Sequence, residues 1–152
     1  MKIFKSLSLL ALVTLVSITI SCGPGDDDGP TDKEVLVEAL TGSWTLDASN
    51  SQFANTELDG SGIGVTFSET GFSLSGGITT YVSGGTYTVT DAGAITDVAV
   101  NIAASNDLEL KGTPSFTING AKDTITIVFS TQEASGRVSG LGDYKLVFNK
   151  AS

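Results

Sequence analysis

From Gly42 to the C-terminus the apolar residues of this chain recur at every second position, the period of a half-buried β-strand rather than of a helix. The runs are Trp44/Leu46, Val65/Phe67, Phe72/Leu74, Tyr87/Val89, Val98/Val100/Ile102, Leu108/Leu110 leading to Phe116/Ile118, Ile125/Ile127/Phe129, and Tyr144/Leu146/Phe148. Ser and Thr dominate the positions between, so one face of each strand meets a core and the other meets water, as antiparallel pairing allows. Glu69-Thr70-Gly71, Asp91-Ala92-Gly93-Ala94 and Asn119-Gly120-Ala121-Lys122 are short connections built from residues that tolerate positive φ. Strands linked this way form a meander, and eight of them can close without leaving an exposed edge. The expected fold is all-β, an eight-stranded antiparallel up-and-down barrel, with a β-sandwich as the alternative. Its strands are expected to be about five or six residues long, near the general mean.

One helix precedes the strands. Thr31-Asp32-Lys33-Glu34 matches a capping box, Val35, Leu36, Ala39 and Leu40 follow at helical spacing, and Gly42 is a natural stop. The pattern predicts a helix from Asp32 to Leu40 packed by its apolar face.

The first residues carry an address. Lys2 and Lys5 precede an apolar run from Leu7 to Ile20, and small Ser21 stands before Cys22, the layout of a secretory signal peptide. The run is too short for a comfortable transmembrane span. Cys22 is the only cysteine, so no intrachain disulfide can form and the hydrophobic core alone must hold the fold. After Cys22 the chain is Gly, Pro and Asp to Pro30 with nothing apolar to bury, so residues 22–30 read as a solvated tether. The domain plan is a leader over 1–21, a tether over 22–30 and one domain over 31–152. Asp26 to Asp28 lack the spaced ligands and distal Glu of an EF-hand loop.

The sequence Ile18-Thr19-Ile20-Ser21-Cys22 resembles the lipobox of bacterial lipoproteins, and the acidic Gly23 to Pro30 segment resembles the tether of Bacteroidetes lipoproteins exported to the outer face of the outer membrane. That resemblance implies acylation of Cys22, a membrane partner reached through it, and a lipid-anchored, surface-exposed location. The junction Leu40-Thr41-Gly42-Ser43-Trp44-Thr45-Leu46 resembles the lipocalin-like lipoproteins of the same group, in which a short helix runs into a Gly-x-Trp first strand. Val65-Thr66-Phe67, Gly85 to Val89 and Tyr144 to Phe148 match the same layout over residues 31–150. Gly42 then turns the backbone into the barrel and Trp44 plugs its base. Typical lipocalins stack an Arg on that Trp; here the only arginine, Arg137, precedes the last strand, and Lys150 lies nearest the expected place.

Chemistry is sparse. There is no histidine and no second cysteine, which removes the commonest base, the commonest transition-metal ligand and most nucleophilic arrangements. Carboxylate pairs remain, Asp107 with Glu109 and Glu57 with Asp59, while Asp47, Asp91, Asp97 and Asp143 lie near strand ends and read as turn formers. No enzyme activity, metal or cofactor is expected. A net charge of −9, becoming −11 when Lys2 and Lys5 leave with the leader, argues against nucleic acid. The glycine clusters at 60–62, 76–77, 84–85 and 136–142 precede no helix, so they read as barrel loops rather than phosphate cradles. The 50s loop and segments 76–85 and 130–143 should form a rim.

The inward set is bulky, namely Phe67, Phe72, Tyr87, Phe116, Ile127, Phe129, Leu146 and Phe148, which suits a shallow, partly filled cup. Phe53, Tyr81 and Tyr87 are the aromatics expected nearest its open end. The function expected first is non-enzymatic binding of a small apolar or amphipathic ligand. A structural or interaction module that presents rim loops to a protein or glycan is the alternative, and an envelope hydrolase using paired carboxylates ranks last.

Overall fold

Helix α1 covers Asp32–Leu40 and starts on the expected capping box: Thr31 Oγ1 accepts from the Glu34 amide at 3.2 Å while Glu34 Oε2 accepts from the Thr31 amide at 2.8 Å. The computed structural model describes residues 29–54, 58, 60–103, 107–134 and 142–151. Eight strands follow the helix: β1 (Gly42–Leu46), β2 (Gly64–Phe67), β3 (Gly71–Ser75), β4 (Val82–Val89), β5 (Ile95–Ile102), β6 (Leu108–Ile118), β7 (Thr124–Glu133) and β8 (Gly142–Lys150). All pairings are antiparallel and the order is β5-β4-β3-β2-β1-β8-β7-β6. First and last strands pair through Trp44–Lys150, Thr45–Asn149 and Leu46–Phe148, so the sheet wraps into a nearly closed barrel. Among the described residues no ladder joins β5 to β6, and these two strands meet side by side as an unzipped seam.

Strand length departs from expectation. Only β1 to β3 have four or five residues, whereas β4 to β8 have eight to eleven. Bulges hide the length from a strict two-residue count. In β6 the residues Gly112 to Pro114 stand opposite Phe129 alone, between the pairs Lys111–Ser130 and Ser115–Val128. Two extra residues preserve side-chain parity, so Leu108 and Phe116 both stay inward across the interruption, and Pro114 sits where no ladder amide is needed. One extra residue reverses parity, and β4 carries such a bulge between Val82 and Gly84. Val82 and Tyr87 are thereby both buried although they differ in parity.

Ser83 and Gly84 make that bulge and Gly85 pairs in register after it, so this glycine pair is not a loop as its sequence suggests; segment 76–85 supplies a short 3-10 turn (Gly77–Thr80) and then strand from Val82. A Cβ on Gly84 would collide with the Phe72 carbonyl, and one on Gly85 with the Ala99 carbonyl and the Phe72 ring. The bare backbone is what lets β3, β4 and β5 close up around Phe72.

The two barrel ends differ. Turns 68–70, 90–94 and 119–123 lie at the end crossed by α1, which runs from the β1–β8 corner to Gly93, where Asp32 packs. Leu36 and Leu40 enter the core from there. Above them Phe67 is the hub of an aromatic cluster, with ring centroids 5.2 Å from Phe116, 5.6 Å from Phe72, and 6.1 Å from both Trp44 and Tyr87. Phe129 and Tyr144 stack at 4.7 Å, and Ile127, Leu146 and Phe148 fill the interior with at most 1% exposure.

The opposite end carries the β1–β2 connection and the 3-10 turn, whose Ile78 is fully buried. After Leu46 the chain loops out and rejoins β8 at a Gln52–Lys145 bridge, while Ser51 Oγ accepts from the Val147 amide at 2.9 Å. Asp47 organises that excursion by accepting from the Ser49 and Asn50 amides and side chains. Those donors, Ser49 foremost, hold its carboxyl at a pKa of about 2.

Gly84→Ala is expected to destabilise the domain by about 3 kcal/mol or to prevent folding, because backbone rather than a flexible side chain blocks the new methyl. Gly120→Ala, with open space at its Cβ, should change stability by less than about 1 kcal/mol. Urea unfolding of both variants measures the contrast.

Candidate functional site

Burial of the inward rows locates where this barrel remains accessible. On β2, β3, β4, β7 and β8 the inward apolar side chains are all buried. The half-buried ones on the barrel fall in two places: Leu46, Phe53, Leu58 and Tyr81 at the loop end, and Ile95, Val98, Ile102, Leu110 and Ile118 along the β5–β6 seam. The two places adjoin, since the Tyr81 carbonyl accepts from the amide of Ala103, the residue after Ile102, at 2.8 Å.

The loop-end site is built on rigid backbone. Tyr81 ends the 3-10 turn, its amide bonded to the Ile78 carbonyl at 2.9 Å, so the ring projects from a fixed point directly before β4. Phe53 follows the Gln52–Lys145 bridge and, with Leu46 and Ala48, hems in Gly60. Leu58 packs over Gly77. Beneath lie Ile78 and Tyr144, both with no exposed surface. Burial, helped by the neighbouring Tyr81 phenol, pushes Tyr144 up to about 12. The floor is therefore apolar and stays neutral at ordinary pH, while Thr131, buried with its hydroxyl accepting from the Gly142 amide at 3.2 Å, lies on the adjoining stretch of β7.

Phe53 and Tyr81 thus stand at the expected end. Tyr87 does not: it is 3% exposed inside the Phe67 cluster at the helix end, and its phenol donates to the Ser68 carbonyl in the β2–β3 turn. The reason is direction, because β4 leaves the loop end at Val82 and has nearly reached the helix end by Tyr87. Burial first, and the Glu69 carboxylate second, push the Tyr87 pKa up to about 12. Sequence reading missed Leu58 and Ile78, of which only Ile78, an apolar residue isolated beside Gly76-Gly77, carried any signal; Phe129 and Tyr144 were legible in their alternating rows, but not their stacking. The expected rim segment 130–143 contracts, because Ser130 to Glu133 and Gly142 to Asp143 belong to strands.

Gly42 and Trp44 occupy the structural positions expected of them. Gly42 has φ of +122°, a turn closed to most residues, and Trp44 is 2% exposed at the barrel base. Lys150 fills the place without an arginine: its ammonium lies 5.6 Å from the indole centroid and donates to the Ala39 carbonyl at 2.7 Å.

Of the two expected carboxylate pairs, only Asp107 and Glu109 lie among the described residues. Glu109 faces out and accepts from Gln132 at 2.6 Å, and Asp107 is exposed just ahead of β6. Glu57 and Asp59 lie outside the described residues, as does Cys22. Among the described residues no group of three or more His, Cys, Asp or Glu is placed to hold a metal ion. An open cleft of about 640 Å³ runs beside α1, lined by Thr31, Lys33, Glu34, Val37, Glu38 and Glu69. Its Glu34 carboxylate is committed to the capping box and most of its lining is charged, so it makes a poor apolar site. Comparison with protein-family models, curated proteins and solved structures returns no match to this chain.

The titrating groups fix the pH limits of the fold. Tyr87 and Tyr144 ionise near pH 10 in the unfolded chain and near 12 in the barrel, so their contribution is complete below pH 10 and lost from there to 12. Asp47 acts at the other extreme: its contribution is present above about pH 4 and disappears as the pH falls through 2. Chemical denaturation across pH should show a plateau with both limbs, and Tyr87→Phe should flatten the alkaline one.

Proposed function

We propose that this chain is a lipid-anchored envelope protein of lipocalin-like type that binds a small apolar or amphipathic molecule at the loop end of its barrel and catalyses no reaction. The carrying observation is the distribution of burial. An aromatic-packed interior leaves no deep calyx along β2, β3, β4, β7 and β8, yet Phe53, Leu58 and Tyr81 remain half-exposed over the apolar floor of Ile78 and Tyr144. Half-exposed aromatics on fixed backbone around an apolar floor are the usual makings of a shallow ligand site. A ligand there rests in the mouth of the barrel with one side open, which favours amphipathic molecules whose polar end stays in water.

A second reading has an observation of its own. Because the interior is filled by its own side chains, the same rim aromatics could instead serve as anchor points for a protein or glycan partner, and the barrel would act as a display platform. The two readings separate by ligand size.

Trp44 is a poor reporter for either, being buried at the far end of the barrel. Against the constant signal of buried Trp44, Tyr81→Trp places an indole at the site. Saturable changes in its emission on adding fatty acids, lysolipids or sterol-like compounds are expected at micromolar concentrations, and Phe53→Asp should weaken binding about tenfold or more. Emission that no apolar compound alters would shift the reading to a macromolecular partner. Membrane attachment is tested separately: Cys22→Ala is expected to move the protein from the membrane fraction to the soluble one.

A further inference from the structure

The seam between β5 and β6 has no part in the loop-end site below Ile102, yet it holds half the partly exposed apolar side chains that border the core. Ile95, Val98 and Ile102 on one strand face Leu110 and Ile118 on the other, with Val100 and Phe116 buried behind them. No charged residue belongs to these inward rows. Since strand side chains stand perpendicular to the sheet while unpaired amides lie in its plane, the seam offers a continuous hydrocarbon strip and leaves its free edges in contact with water. At about 3.3 Å per residue the strip along β5 is roughly 25 Å long. A linear, uncharged apolar strip fits a linear, uncharged occupant.

The start of α1 indicates where such an occupant comes from. Asp32 packs against Gly93, in the turn that leads directly into Ile95 at the foot of the seam. Ten residue steps separate Cys22 from Asp32 in the sequence, and a chain of that length spans at most about 36 Å. Anything carried by Cys22 therefore begins within reach of the whole seam, at the high effective concentration that a short tether imposes. Resting on the lipid-anchor reading above, we infer that the β5–β6 seam is the docking groove for an acyl chain borne by Cys22, occupied whenever the protein is away from a bilayer. The groove covers one side of a hydrocarbon chain, whereas a bilayer surrounds it completely, so the chain leaves the seam for a membrane.

The single thiol makes the test clean. All the described elements lie within residues 31–151, so the chain from Cys22 onward can be alkylated at that thiol with N-hexadecylmaleimide and compared with its N-ethylmaleimide adduct by amide hydrogen exchange. The hexadecyl adduct is expected to stay monomeric and to exchange about tenfold more slowly in Ile95–Ile102 and Leu108–Ile118, with β2 and β3 unchanged. Val98→Glu should abolish the slowing, while Val98→Thr, which keeps the shape without a charge, should retain most of it. Equal exchange in the two adducts overturns the inference, as does slowing that survives Val98→Glu or spreads to every strand through self-association. The outcome does not depend on whether cells acylate Cys22, which the Cys22→Ala fractionation reads independently.

Discussion

The end of the helix and the first and last strands are fastened together by the register pair Trp44 and Lys150. These residues align the first and last strands, and each also reaches up to the C-terminus of α1: Trp44 Nε1 donates to the Leu40 carbonyl at 2.9 Å and Lys150 Nζ to the Ala39 carbonyl at 2.7 Å. Thr41 satisfies Val37 through its amide and hydroxyl. A helix ends with unsatisfied carbonyls and a partial negative charge, and α1 has no basic residue in its own last turn. The missing cation arrives from the far end of the sequence. A nine-residue helix is marginal alone, and pairing between the first and last strands is entropically expensive. Joining the two through one pair of side chains makes seating of the helix and closure of β1 on β8 a single cooperative event.

That fastening explains how much of the fold could be read from sequence. Local signals were sufficient wherever the structure is local: the Thr31–Glu34 box set the start of α1, and the tight turns at the helix end fall where short connections were expected, although the positive φ angles there belong to Gly93 and Lys122 and Gly71 already begins β3. Inward rows were legible as far as the period of two held. Bulges broke it. The two-residue insertion at Gly112 to Pro114 divided β6 into apparent halves, and the one-residue shift at Ser83-Gly84 made a strand interior look like a glycine loop. A bulge is defined against a partner strand, so one strand's sequence does not reveal it. Lys150 lacks the planar guanidinium of an arginine, but the site asks for an ammonium that reaches a carbonyl while passing over the indole.

The candidate site was legible in half. Phe53 and Tyr81 could be placed because they adjoin long connections, whereas Tyr87 required knowing which way β4 runs. Polarity along a strand decides whether an aromatic lies at the mouth or the base of a barrel, and alternation carries no information about it. The seam was the least legible feature. Ile95, Val98, Ile102, Leu110 and Ile118 follow the same pattern as their buried counterparts, and their half-exposure comes from a ladder that is absent in space.

Packing on the two sides of the barrel follows from that absence. The β2–β4 side closes around Phe67, with Phe116 stacked on it and glycine backbone admitting Phe72, so its density is reached by rings interlocking across short distances. On the β5–β6 side the residues are mostly aliphatic, the edges are unpaired and the strands are interrupted by bulges, with Asp97 at φ of +50° in β5 and Gly112 at +77° in β6. Both devices discourage an edge from templating strand addition by another chain. A barrel that stays open along one line must prevent that line from recruiting other sheets, and bulges on both lips do so without covering the apolar strip between them. An occupant that brings no amides of its own is the kind such an edge still admits.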